Sequence, residues 1–108
     1  MKTYIVSEID YWGGAPLIKI DYAGDSRTKA IEVFDKRFKQ CTWNTDTNEF
    51  FMLPSKVEKY VGEKPSYELV INYLAHEFDE KGLVRIDDEW DDGEGDYPLY
   101  LEIRSVNN

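Results

Sequence analysis

A single histidine and a single cysteine are the first residues to test for chemistry. Nucleophilic catalysis requires a base within reach of a Ser, Thr or Cys side chain. His76 stands one position from the helix face that holds Ala75 and Phe78, in a run with helical spacing. Cys41 stands between a helical run and a strand-like one. Nothing in the spacing brings the two together, so a structural role is expected for each. Asn72, His76 and Glu80 recur four apart and share one face of a helix, as a ligand cluster would. The helical zinc motif needs a second histidine, which His76-Glu77-Phe78-Asp79-Glu80 lacks. A solvated helix face is the better reading. No catalytic residue, metal ligand or cofactor is assigned.

The densest charged stretch is Asp87-Asp88-Glu89-Trp90-Asp91-Asp92-Gly93-Glu94-Gly95-Asp96, with seven acids, no bases and one tryptophan. Calcium is the natural cation for such carboxylates. If Gly93 takes the sixth position of a calcium-binding helix–loop–helix motif, Asp88 and Asp92 fit, but Trp90 and Leu99 occupy the third and twelfth. The motif is absent. Gly13-Gly14 lacks the following helix, lysine and third glycine of a phosphate-binding loop. An enzyme is therefore not the expectation.

The elements that must carry these residues follow from periodicity. Residues 3–10 alternate, with Tyr4, Val6 and Glu8 on one side and Thr3, Ile5, Ser7 and Ile9 on the other, which is the period of a strand. Tyr11-Trp12-Gly13-Gly14-Ala15 reads as a turn, and Leu17–Tyr22 as the return strand of a hairpin over 3–22. Asp25 or Ser26 can cap a helix in which Ala30, Val33, Phe34 and Phe38 form an apolar stripe widened by Ile31. Its other face carries Arg27, Lys29, Lys36 and Lys39.

Thr42-Trp43-Asn44 and Glu49–Leu53 flank Thr45-Asp46-Thr47-Asn48 as a second hairpin. Ser55-Lys56-Val57-Glu58 matches a capping box for a short helix ending at Gly62. Pro65-Ser66 begins a further helix with Tyr67, Val70, Ile71, Leu74 and Phe78 on one stripe, stopped by Gly82. A last hairpin, 83–106, carries the acidic loop. The expectation is an α+β fold, an antiparallel sheet built from hairpins with two main helices packed on it. A chain of 108 residues suits a single compact acidic domain, 1–108.

From residue 26 onward the order helix, strand, helix, helix, hairpin resembles a winged helix, which gives an alternative: a winged-helix-like core with an extra N-terminal hairpin. Tyr73-Leu74 to Ile86 would be the recognition helix passing into its wing. The wing would then be Asp87–Asp96, which phosphates repel. Glu68, Glu77, Asp79 and Glu80 on that helix face only Lys81. Such a core would bind protein rather than DNA.

The net charge is -9, and removing residues 87–96 leaves 13 bases against 22 - 7 = 15 acids. The acidity is concentrated in one place, so direct nucleic-acid binding is disfavoured and basic protein surfaces are favoured. One cysteine permits no internal disulfide, and no apolar run approaches a membrane span. A cytoplasmic location and no membrane partner are expected. In size and charge the chain is similar to small acidic inhibitors such as immunity proteins and phage-encoded, DNA-mimicking inhibitors of defence nucleases. No motif assigns it to a family, so no residue roles are carried over.

The leading expectation is a non-catalytic acidic protein-binding module. Its partner-binding residues would be Asp87, Asp88, Glu89, Trp90, Asp91, Asp92, Glu94 and Asp96. Its partner would be a basic protein such as a nuclease or DNA-binding protein. Trp90 has two readings, an aromatic anchor for that partner or a pin folded back onto the domain. A regulatory or scaffold domain with a winged-helix-like fold, binding protein rather than DNA, is the alternative function, and an unrecognised enzyme is the third.

Overall fold

The computed structural model describes residues 1–10, 17–51, 53–87 and 100–107. In chain order the elements are β1 (Lys2–Asp10), β2 (Leu17–Gly24), α1 (Arg27–Thr42), β3 (Trp43–Asn44), β4 (Glu49–Phe50), α2 (Ser55–Val61), α3 (Tyr67–Lys81), β5 (Leu83–Ile86) and β6 (Tyr100–Asn107). This is the expected α+β arrangement. A four-stranded antiparallel sheet runs β2-β1-β6-β5, and β3–β4 form a separate two-stranded ribbon.

The winged-helix-like order is present from α1 to β6, but its strands pair differently. Among the described residues β3 pairs with β4 alone, and the place beside β6 is taken by N-terminal β1 along eight paired residues.

Alternation decides which face of the sheet is covered. Val6, Val84, Ile86, Leu101 and Ile103 point inward and are buried, and α1 and α3 pack over them with Ala30, Phe34, Phe38, Val70, Leu74 and Phe78. Glu8 follows the same alternation and is buried among them, 5% exposed. The opposite face consists of rows set by the register: Ile18–Ile9–Tyr100, Ile20–Ser7–Glu102–Arg85 and Ala23–Ile5–Arg104–Leu83. Ile18 and Ile20 on that face are 72% and 61% exposed.

The helix ends show how local chemistry sets boundaries. Ser26 caps α1 by accepting from the Lys29 amide at 3.1 Å, and Ser66 caps α3 by accepting from Leu69 at 3.2 Å. The expected capping box on α2 does not form. Pro54 is the N-cap and makes no side-chain bond, because Ser55 is already the first helical residue. Gly82 ends α3 in the left-handed region at φ 71°, which favours glycine, and a Cβ there would also press on Ser105 Oγ at 3.0 Å.

The second hairpin is shorter than its sequence suggests. Thr42 completes α1, and its carbonyl accepts from Phe51 at 2.9 Å, which closes the ribbon against the helix. No helix among the described residues is long and apolar enough to cross a membrane.

Candidate functional site

Of the eight residues expected to bind a partner, Asp87 alone is among those described; Asp88, Glu89, Trp90, Asp91, Asp92, Glu94 and Asp96 lie outside them, as does Trp12. The strand ends that hold this segment are well defined. β5 ends at Ile86, which pairs with Leu101, and Tyr100 pairs with Ile9. Asp10 pairs with Leu17 one step further along β1. The connections 11–16 and 87–99 therefore join strands at the same end of the sheet.

Where the bases go bears directly on the acidic segment. All 13 lysines and arginines lie among the described residues. Each of the four arginines is held by a carboxylate of the folded body. Arg27 donates to both oxygens of Asp79 at 2.9 and 2.8 Å, and Arg37 to both oxygens of Glu8 at 2.9 Å. Arg85 and Arg104 converge on Glu102, one on each carboxylate oxygen, at 2.9 Å. Bidentate and shared guanidinium contacts of this kind are the stronger class of charged hydrogen bond. Lys19 pairs with Asp21 at 3.5 Å and Lys81 with Glu77 at 2.7 Å.

Glu8 belongs to a buried cluster that sequence reading did not identify. A bulge in the β1–β2 ladder, between Val6 and Ser7, turns Asp21 inward beside it. The two side chains are 6% and 8% exposed, and Asp21 Oδ2 is buried without a partner. Burial, and then the hydrogen bond and charge of Glu8, push the Asp21 carboxyl up to about 6. Burial also pushes Glu8 up, but the hydrogen bonds from Asp21 and Arg37 outweigh it and leave that carboxyl below its ordinary value. A proton-sharing carboxyl pair is suited to acid–base work in principle. Here both members face the core, where a substrate cannot reach them.

The lone thiol and imidazole are placed apart in kind. Cys41 is buried, and burial pushes its thiol up to about 11, so it is an un-ionised, weak nucleophile at neutral pH. His76 stands on the outer face of α3, 69% exposed, 3.1 Å from Glu80. With Asn72 also exposed, this is the solvated helix face expected from the sequence. Among the described residues no three His, Cys, Asp or Glu side chains are grouped as metal ligands.

A groove of about 340 Å³ lies between the β3–β4 ribbon and the α2–α3 turn. Phe50, Phe51, Leu53 and Pro65 supply its apolar surface, Glu49, Glu58 and Glu63 its carboxylates, and Asn48 and Lys64 complete the lining. The two non-glycine residues with positive φ among those described, Asn48 at 55° and Lys64 at 50°, both line this groove. Sequence gave a signal only for Asn48, since asparagine tolerates the left-handed region in turns. Against family models, curated proteins and solved structures the chain has no match. Function must be argued from its own residues.

Proposed function

We propose that the protein is a non-catalytic acidic binding module that presents residues 87–96 to a basic surface of another protein. The nucleic-acid groove of a nuclease or DNA-binding protein is the kind of surface it fits, and inhibition is the outcome of filling it. The observation that carries this reading is the commitment of all four arginines to Glu8, Asp79 and Glu102. Residues 88–99 contribute six acids and no base, so the charge of -9 divides into -6 there and 13 - 16 = -3 for the rest. To neutralise the segment, those arginines would have to abandon bonds already made. A basic partner supplies positive charge without that cost, and the field speeds its approach. Cytoplasmic action suits a chain whose one thiol stays reduced.

Affinity capture from the host, eluted with a salt gradient, tests this. A basic protein should elute at moderate salt, and Asp91→Lys with Asp92→Lys should abolish its retention. Recovery of acidic or neutral proteins that ignore both salt and the charge reversal would overturn the reading.

A second reading, a regulatory or scaffold domain, is favoured by one different observation. The sheet face away from the helices, which no described element covers, exposes Ile18 and Ile20, an apolar pair of the sort that docking surfaces use. In that case Ile18→Thr with Ile20→Thr, not the charge reversal, removes the captured partner.

A further inference from the structure

We propose that the groove between the β3–β4 ribbon and the α2–α3 turn receives an arginine side chain from the basic partner. This rests on the reading that the partner is basic, and it adds a contact on the folded body. The volume, about 340 Å³, is within the range of ligand sites and suits a long side chain rather than a whole cofactor.

Its chemistry selects the occupant. Three glutamates against one lysine give the lining an excess of two negative charges. Phe50, Phe51, Leu53 and Pro65 offer the apolar contact that an aliphatic stem needs while its charged head stays near the rim. Phe51, 39% exposed, is the most accessible apolar residue named in that lining. Arginine is preferred to lysine because the guanidinium is planar, weakly hydrated, stacks on aromatic rings and forks onto carboxylates. The same aromatic cluster already holds a cation on another side: Lys39 Nζ lies 5.0 Å from the centre of the Tyr67 ring, and that ring stacks with Phe50 at 6.1 Å. The ribbon is fixed by Trp43 packing edge-on against Phe50 at 4.8 Å. Its floor is thus preorganised, which lowers the ordering cost of binding.

The test uses N-acetyl-arginine methylamide as probe, with the citrulline analogue as its neutral counterpart, followed by amide NMR shifts of the full chain. Millimolar binding is expected, with shifts confined to residues 48–53 and 58–65. The citrulline probe should bind roughly tenfold or more weakly. Glu58→Gln with Glu63→Gln should remove the difference, and Phe51→Ala should weaken both probes. Tyr60→Ala, an exposed aromatic on α2 outside the groove lining, should change neither and reports that the fold survives substitution. Equal shifts for the two probes, or shifts centred elsewhere, overturn the proposal. The two readings fail separately. If groove variants that have lost the arginine probe still retain the partner, and it is lost only with Asp91→Lys and Asp92→Lys, the groove is not part of the interface. If the reverse holds, the acidic segment is not.

Discussion

Asp21 is the residue whose environment most opposes its charge. Its carboxyl is buried beside Glu8, with one oxygen unpartnered, and Lys19 is its nearest base at 3.5 Å. Because its folded value is raised from 3.8 to about 6, the folded chain holds a proton that the unfolded chain has released between those pH values. Stability contributed by that proton is fully present below about 4 and is lost as pH rises through 6. Glu8 acts in the opposite sense. Its lowered carboxyl contributes stability that is present above its ordinary value of 4.5 and is lost as pH falls below it. Stability should therefore fall as pH rises from about 4.5 to 6, where the Glu8 contribution is complete and the Asp21 contribution is being lost. Asp21→Asn should stabilise the fold at pH 7.5 by about 1–2 kcal/mol and flatten the slope between pH 4 and 6. Chemical denaturation of both proteins across that range measures it. An unchanged slope in the variant would assign the pH dependence to other acids. Alternation alone grouped Glu8 with Tyr4 and Val6 on one side of β1, and the structure shows that Val6 and Glu8 on that side are buried. Its partners were not legible, because Asp21 reaches it through a bulge and Arg37 through tertiary packing 29 residues away.

The α2–α3 turn is the element on which backbone geometry weighs most. Gly62 has φ 83° and ψ -179°, a region open essentially to glycine alone. A Cβ there would meet nothing within 4 Å, so Gly62→Ala isolates the backbone term. It should cost about 1–3 kcal/mol, read from a denaturant midpoint shift at unchanged slope. A loss below a few tenths would show that the turn relaxes freely. Lys64, two residues on, holds φ 50° without being glycine. Lys64→Gly removes that strain, partly offset by added freedom of the unfolded chain, and should gain up to about 1 kcal/mol. Glycine at 62 was read from sequence as the end of α2, since a helix followed by glycine is a local pattern. The positive φ of Lys64 was not legible, and neither was the groove, because its walls come from elements 10 or more residues apart. The same distinction explains the rest of the fold. β1, α1 and α3 were visible in their periods of two or of 3.6 and α2 in its terminal glycine, whereas the joining of β1 to β6 is a long-range pairing that no window of sequence contains.

At the scale of the whole molecule the controlling quantity is the charge of -9 and its uneven placement. Like charges held on one folded body raise its free energy, and the effect is largest where screening is weakest. The screening length falls from roughly 30 Å at 0.01 M salt to about 10 Å at 0.1 M. The melting temperature should therefore climb by a few degrees over that range, with most of the gain at the lowest salt. Asp91→Lys with Asp92→Lys shifts the net charge from -9 to -5, since each substitution adds two. If residues 87–96 are unbalanced by the body, this variant should melt higher than the parent at 0.01 M salt, and the two curves should converge as salt is added. If instead the segment is balanced internally, reversal breaks favourable pairs and the variant melts lower, most visibly at low salt. The sign of a single difference, measured by calorimetry at two ionic strengths without any partner present, thus separates a charge waiting to be met from one already met at home. A lower-melting variant would remove the electrostatic reason for a basic partner. A higher-melting one would show a molecule that keeps a destabilising surface, which selection for stability alone would have removed.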